Sequence, residues 1–590
     1  MNTELERARK RQMFIFLFVL LGMALLLGRL YYWQIIDGPK LAALANAEHT
    51  QVQVINAPRG LIYDDNGHLL ATNVIRDDVY IEPIQFFTDY TDSVQAQAKL
   101  ATIVQTLHTI LNISQGTLDK DFNSGLQTYR IAESITPQQT NALEASQLPY
   151  IFLEPHPVRV YPGGDLAAQV LGYVAPDPNN PDLYDGFYGI EQQYNALLSG
   201  KSGQITAETD LNGNPLTVGA SSSQPAVAGA NLTTTIDSTI QYDVQTGLAQ
   251  TVKQSEAESG AAIVINVHTG GIVAMAGYPS FDPNNYGQYA NNMGCEGAEN
   301  VYFNPLLYCA YEPGSTMKAV TMAAALDQGL ITPDTAIYDP GFINLGNGIP
   351  IVTNWMNESW GHETMTQVLE HSANVGAAWV AYKVLGPNRY YPYLTKFGFG
   401  QRYGLAVPSQ EQIASYNNPT MPQWSPSDLA RQGFGQAISA TPLQVAMVYQ
   451  TIANGGVMMH PYVVSAIEQN GHTTQIQPQA MRRVISQQAA QLLSGMLAQD
   501  TVSGLDTPVA IPGYTVAAKT GTSTTQGLAM DQTEASVAGF FPASNPQFVI
   551  LVKIDRPQAT IYGITAAGPL WKNIAEDLIW RYAIPPDKPF

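Results

Sequence analysis

A serine precedes a lysine by three residues at only one place in the chain, within Glu312-Pro313-Gly314-Ser315-Thr316-Met317-Lys318. Residues three apart share a helix face, and Pro313-Gly314 is a good place for a helix to begin. The following Met317 to Leu326 (MKAVTMAAAL) is rich in helix formers. A serine at such a start sits among backbone N–H groups that favour developing negative charge. This arrangement suits nucleophilic attack by Ser315, with Lys318 taking its proton. The competing interpretation is an ordinary helix start with a solvated lysine.

Two further motifs lie downstream. Ser372-Ala373-Asn374 falls in a helix-rich stretch after Met365, and Lys519-Thr520-Gly521-Thr522 falls at the end of a strand candidate. Ser415-Tyr416-Asn417 imitates the first of these but lies beside Asn418-Pro419 in a loop-like region, and is set aside. Gly521 is what a strand edge needs where another backbone, here a substrate's, must lie close. Other chemistry is less well supported. His371 is read as a packed or surface histidine rather than a base. His362-Glu363 starts like a zinc helix, but Thr366 stands where the second histidine should be. Cys309 lacks a partnered His-Asn arrangement, and no metal or cofactor is indicated.

These residues need a scaffold. The spacing predicts helices over Thr316–Leu326, Thr366–Val384 and Thr441–Asn454, and strands at Ala261–Ala276 folded around Thr269-Gly270-Gly271. Three more strand candidates, Tyr514–Lys519, Ala535–Phe541 and Gln547–Ile554, precede a closing helix over Pro569–Tyr582. Helices flanking an antiparallel sheet make an α+β domain. Upstream, the pattern predicts a short helix over Pro39–Glu48, a strand over Gln51–Asn56 and a turn at Asp64-Asp65-Asn66-Gly67. A helix over Val94–Leu111 and another starting within Tyr188–Tyr194 follow, and the small, polar Ser221–Ala230 marks a boundary.

With 590 residues, 45% apolar and 13% charged, the chain has room for several cores and is globular. A net charge of −20 excludes the basic footprint of a nucleic-acid binder. At the N-terminus Arg7, Arg9, Lys10 and Arg11 precede an apolar run from Met13 that ends in Tyr31-Tyr32-Trp33, with Arg29 able to snorkel. The run matches the ~20 residues of a bilayer crossing, and the aromatic cluster resembles an interfacial belt. Positive-inside logic keeps the short tail cytoplasmic and puts the body outside. A cleaved signal peptide is the rival, since Ala43-Leu44-Ala45 imitates a cleavage site, but it lies well past the apolar run. In an oxidising compartment Cys295 and Cys309 could pair; in a reducing one they would be isolated thiols.

The order Ser-x-x-Lys, Ser-x-Asn, Lys-Thr-Gly resembles the penicillin-binding proteins and serine β-lactamases. The anchor, Arg59-Gly60-Leu61-Ile62-Tyr63-Asp64-Asp65-Asn66-Gly67, Arg159-Val160-Tyr161-Pro162 and Gly189-Ile190-Glu191-Gln192-Gln193-Tyr194 look like the pedestal region of class B penicillin-binding proteins. The resemblance runs from Met13 onward. It implies a cytoplasmic tail (1–12), a transmembrane anchor (13–33), a pedestal of dimerisation type (34–230) and a transpeptidase domain (231–590) on an inner-membrane protein. It also implies peptidoglycan D,D-transpeptidation. Ser315 would attack the carbonyl between two terminal D-alanines of a stem peptide, and Lys318 would act as base, helped by the cation of Lys519. Ser372 would relay a proton to the leaving amine, and Asn374 would hold the substrate amide. Lys519, Thr520 and Thr522 would attract the terminal carboxylate, and the N–H groups of Ser315 and Thr522 would form an oxyanion hole.

β-Lactams would be inhibitors, and a polytopic membrane glycan polymerase with other cell-wall and division proteins would be partners. Glu312-Pro313-Gly314-Ser315 and Ser372-Ala373-Asn374-Val375-Gly376 resemble the division branch more than the elongation branch. The alternatives are an elongation-type transpeptidase and a non-catalytic membrane scaffold. An extracytoplasmic body further implies a Cys295–Cys309 disulfide ahead of the nucleophile.

Overall fold

The computed structural model describes residues 2–41, 50–55, 57–208, 221–346, 349–524 and 532–589. Two compact units emerge: 1–58 with 200–229, and 59–199 with 230–590.

In the first unit a helix over Asn2–Tyr31 continues as a wider π-turn over Tyr32–Ile36. Within it Leu5–Ile36 is long and apolar enough to cross a bilayer. A three-stranded antiparallel sheet places Gly203–Glu208 between Thr50–Ile55 and Ser221–Gln224. The expected boundary segment therefore opens as a strand. Of the helix expected over Pro39–Glu48 only the first residues are described, and they are helical; residues 42–49 and Asn56 lie outside the described residues.

The second unit begins with the turn at Asp64, whose Oδ1 accepts from the N–H groups of Asn66 and His68. Strand β1 (Leu69–Ile81) then pairs antiparallel with β2 (Tyr129–Ile135) on one side and β3 (Ile151–Val160) on the other. Helix α1 (Ser93–Leu111), capped by the Asp92 carboxylate, adds Ile103, Val104, Leu107 and Leu111 to the apolar cluster of that sheet. The three N-terminal motifs meet at one carboxylate. Glu191, fully buried, accepts from Arg59 Nε and Arg159 Nε at 2.7 Å each and from Tyr161 Oη at 3.2 Å.

Further along the same unit lies a five-stranded antiparallel sheet. Helix α2 (Ser238–Gln254) precedes β4 (Ser259–Asn266) and β5 (Ile272–Tyr278), the expected hairpin. Three strands from the end of the chain, β8 (Ala517–Thr524), β9 (Thr533–Phe541) and β10 (Phe548–Asp555), complete the order β5-β4-β10-β9-β8. Side chains alternate between faces along each strand. Ala262 and Val264 join Val244, Leu248, Trp571 and Ile574 of α2 and α8 (Gly568–Arg581), whereas Ala261, Ile263 and Ile265 join a larger cluster on the opposite face. That cluster takes in α3 (Lys318–Asp327), α6 (Pro442–Ala453), whose every residue is buried, and α7 (Gln487–Ser503). The α+β expectation holds.

Two differences from the expected elements bear on the site. The helix expected over Thr366–Val384 breaks into α4 (Met365–Glu370) and α5 (Asn374–Trp379), followed by a π-turn over Val380–Leu385. Ser372 takes φ +52° at the break; its N–H bonds to Leu369 O and that of Ala373 to Val368 O. That pair of bonds is a Schellman ending, here with serine where glycine is usual. The third motif also lies inside β8 and not at a strand end. The strand starts at Ala517 because Tyr514 is held in a turn, its N–H on Ile511 O and its hydroxyl on Ile584 O. Just before α4 in the chain, β6 (Ala336–Asp339) and β7 (Gly361–Thr364) pair antiparallel.

Candidate active site

Ser315 sits in a single 3-10 turn, Gly314–Met317, that runs into α3. The turn is held from several sides. Tyr311 and Ala440 exchange backbone hydrogen bonds, Gly314 N–H donates to Gly435 O at 3.0 Å, and Tyr449 Oη donates to Thr316 O at 3.0 Å. The Glu312 carboxylate accepts from Ala437 N–H at 2.9 Å. A Cβ on Gly435 would stand 2.0 Å from Gly314 O, so the Gly433-Phe434-Gly435-Gln436 stretch can press on the serine turn only because it is glycine there.

Lys318 is fully buried, and its Nζ donates to Ser372 O and, at 3.2 Å, to Ser372 Oγ. Ser372 Oγ in turn donates to Ser315 Oγ at 2.9 Å. Among the described residues no hydrogen bond joins Lys318 to Ser315 directly, so the connection runs through Ser372. The left-handed backbone of Ser372 is what turns both its hydroxyl and its carbonyl toward Lys318. Burial and then the positive charge of Lys519 push the Lys318 amine well below its ordinary pKa. Asn374, on the first turn of α5, donates from Nδ2 to Thr353 O at 3.3 Å.

Lys519 is equally buried but has the opposite electrostatics. Its Nζ lies 2.9 Å from Asp500 Oδ2 and 2.8 Å from Asp506 Oδ2. Burial works against its charge, yet the two aspartates outweigh burial and raise its pKa. Burial raises the pKa of Asp500 strongly, while Lys519 outweighs the same burial at Asp506 and lowers it. Thr520 gives both its donors to Asp506: the hydroxyl at 2.6 Å and the N–H at 3.0 Å. Thr522 Oγ1 instead accepts from Gly563 N–H at 3.0 Å, and among the described residues no acceptor takes its own proton.

Strand β8 is the edge of the sheet. The Thr520 N–H leaves that edge toward Asp506, and in a strand the N–H two residues on points the same way. The Thr522 N–H therefore faces off the edge, beside Gly314. Gly521 is needed for a close backbone approach, but of the protein's own chain: a Cβ there would stand 2.5 Å from Pro313 O.

The structure thus gathers Ser315, Lys318, Ser372 and Asn374 on one side and Lys519, Thr520, Gly521 and Thr522 on the other. Ser415-Tyr416 belongs to a separate two-stranded ladder. His371 is packed: its ring stacks on Trp360 with centroids 3.9 Å apart and meets Glu363 Oε2 at 3.1 Å. His362 lies against the Tyr338 ring. Cys295 and Cys309 are bridged, their Cα atoms 6.2 Å apart, within disulfide range. Sequence reasoning missed Asp500 and Asp506, which belong to no motif and lie 19 and 13 residues before the lysine they hold.

Residues 260–576 match the family described as the penicillin binding protein transpeptidase domain, and residues 54–234 match the penicillin-binding protein dimerisation domain. Among curated relatives, the penicillin-binding protein PbpB of Mycolicibacterium smegmatis is 33% identical over 77% of this chain and 69% of its own. The peptidoglycan D,D-transpeptidase FtsI of Escherichia coli is 28% identical over 96% and 91%. The crystal structure of penicillin binding protein 3 from Mycobacterium tuberculosis, complexed with aztreonam, superposes with a TM-score of 0.66 at 27% identity, covering 91% of this chain and 99% of that one.

Proposed function

Since the chain belongs to the class B penicillin-binding proteins, we propose that it cross-links peptidoglycan stem peptides through an acyl-enzyme on Ser315. With the Ser372 hydroxyl rotated to donate to the neutral amine of Lys318 and to accept from Ser315, Ser315 Oγ attacks the carbonyl of the penultimate D-alanine while its proton passes to Ser372, whose own proton passes to Lys318. The C–N bond then breaks, the departing D-alanine takes a proton back through Ser372, and an acyl ester remains. An amine from a second stem peptide attacks the ester and regenerates Ser315. The oxyanion is held by the N–H groups of Ser315 and Thr522, each worth roughly 3 kcal/mol.

The observation that carries this reading is the Lys318–Ser372–Ser315 hydrogen-bond chain ending on a buried amine whose pKa is lowered. Asn374 is assigned to the substrate amide. For the terminal carboxylate, Thr522 is favoured over Thr520 because its hydroxyl proton is uncommitted. Lys519, enclosed by Asp500 and Asp506, acts at a distance by keeping Lys318 neutral. β-Lactams acylate the same serine.

We further infer the septal branch, a cytoplasmic tail over 1–12, an inner-membrane span over 13–33, and an extracytoplasmic body made of a pedestal (34–230) and a transpeptidase domain (231–590). A polytopic glycan polymerase is the proposed membrane partner. Gly22 of the long helix has open space around it, which lets another helix approach closely. Labelling the purified protein with a fluorescent penicillin and mapping the adduct tests the catalytic reading. The label is expected on Ser315 and absent from Ser315→Ala; a label on Ser372 or elsewhere overturns it. Depletion in the cell tests the branch: filaments with arrested septa support it, and spheres whose septa still close refute it.

A further inference from the structure

Ser372 and Asn374 are held in an unusual way. The residue before Ser372 and the residue after Asn374 are each clamped, and both clamps lead to the same pair of buried carboxyls. On one side, the His371 ring lies flat on Trp360 and meets Glu363 Oε2 at 3.1 Å. On the other, the Val375 N–H at the start of α5 donates to Asn354 Oδ1 at 3.0 Å, and Asn354 Nδ2 donates to Asp339 Oδ2 at 2.6 Å. Asp339 at the end of β6 and Glu363 on β7 are hydrogen-bonded to each other, and their side chains are almost wholly buried. Two carboxyls packed together away from water are a costly choice for mere filler, because an apolar pair would bury more cheaply.

We propose that Glu363, through its hydrogen bonds to His371 and Asp339, is the positioning residue of the second motif. It keeps Ser372 in the left-handed conformation that joins Lys318 to Ser315. The inference rests on the catalytic reading above and adds a residue to it.

Protonation fits the geometry. Burial, then the charge of Asp339 and the hydrogen bond to it, push the Glu363 carboxyl up to about 8. At neutral pH it is therefore an acid that gives its proton to Asp339. Burial lowers His371, against the pull of Glu370, Asp339 and Glu358, so a neutral imidazole directs its Nδ1–H at Glu363. The remaining charge acting on Glu363 is that of Lys318, which pulls the carboxyl down without outweighing burial and Asp339, and burial in turn lowers the pKa of the Lys318 amine. Once Glu363 ionises, two carboxylates face each other in the same pocket and the clamps on both sides of Ser372-Ala373-Asn374 loosen.

The test is the second-order rate of acylation of full-length protein by a fluorescent penicillin, followed from pH 6 to 9.5. Wild type is expected to lose rate above pH ~8. Glu363→Ala is expected to lose about 10–100-fold at neutral pH, the scale of a misplacement outside the reacting atoms. Glu363→Gln, which can still donate to Asp339 and accept from His371, is expected to restore most of that rate and to lack the alkaline fall. Ala within twofold of wild type, or a Gln variant with the same alkaline fall, overturns the proposal. If the Ala variant does not fold, the Gln profile decides alone. Wild type that is unlabelled, or labelled away from Ser315, removes the catalytic reading and this inference together. Wild type labelled at Ser315 with unaffected variants removes only the inference.

Discussion

Two of the buried charge clusters in the larger unit are built in opposite senses. Around Glu191 one carboxylate meets two guanidiniums; around Lys519 one ammonium meets two carboxyls. The first joins three chain segments far apart in sequence. Burial opposes the charge of Glu191, but Arg159 and Arg59 outweigh it and hold its pKa below the ordinary value. No unusual protonation state results, and the cluster acts as a rivet. The second cluster does something the first does not: it fixes a cation beside Lys318, and that cation adds to burial in pushing the pKa of a second buried lysine down. The difference shows that buried ion clusters of similar composition can serve either to position segments or to tune a neighbour: beside Glu191 the titratable neighbour is Tyr161, a phenol that burial and the carboxylate push further up, whereas beside Lys519 it is an amine that is pushed down.

The strongest test of that contrast is at Lys318. Replacement by Ala should lower penicillin acylation by about 10²–10⁴-fold, the usual worth of a general base. Replacement by Arg should not rescue it, because a guanidinium keeps its proton at any working pH. Acylation by the Arg variant within tenfold of wild type would mean that a cation is required there and not a base.

The rivet should fail differently. Glu191→Ala strands two guanidiniums and should cost about 3–5 kcal/mol in denaturant unfolding, while folded molecules still acylate. A folded variant unable to take penicillin would show that the two clusters are coupled. Glu191 has a depressed pKa, so its contribution is present above its unfolded value near 4.5 and is lost as pH falls below it. The stability of Glu191→Gln should accordingly depend less on acid than that of wild type.

The contrast also separates what the sequence could reveal from what it could not. That Ser315, Lys318, Ser372, Asn374 and Lys519 would be gathered in one place was legible because their types, order and spacing are distinctive. The sheet was legible because its strands are long, apolar and β-rich, as in Ala535–Phe541. The break at Ser372 was not, since the local signal for a left-handed helix ending is glycine and the sequence has serine. The start of β8 was placed too early because Tyr514 and Val516 look like strand residues, whereas tertiary bonds hold Tyr514 in a turn. The arginines and Glu191 were seen as motifs but not as one cluster, because only folding brings together residues 132 and 32 positions apart.

The disulfide stabilises the same half of the chain by other means. Removing it with Cys295→Ser/Cys309→Ser should cost about 3 kcal/mol on the chain-entropy account of a loop this size. Unlike the loss of Lys519 or its aspartates, it should leave the pH profile of acylation unmoved. A shifted profile would place the Cys295–Cys309 loop within the electrostatics of the site.

The smallest effect, and the most specific to the contrast, is a slope. Lys318 and Lys519 are both fully buried, yet their pKa values move in opposite directions. A lysine whose folded pKa is depressed binds more protons unfolded than folded at any pH between that value and 10.5. Stability then rises with pH across the window, by about 1.4 kcal/mol per pH unit for one proton. Lys519, raised in the fold, has the reverse sign. Its contribution is complete below 10.5 and is lost only above it, so it adds no slope between pH 7 and 9. Lys318→Met should therefore flatten the pH dependence of unfolding over that range by about one proton. Its absolute stability can move either way, because Ser372 O loses a donor. The difference in slope between wild type and variant isolates the lysine from every group the two share. An unchanged slope would mean that Lys318 is charged in the folded protein, and the contrast between the two lysines, with the base assigned to one of them, would fall.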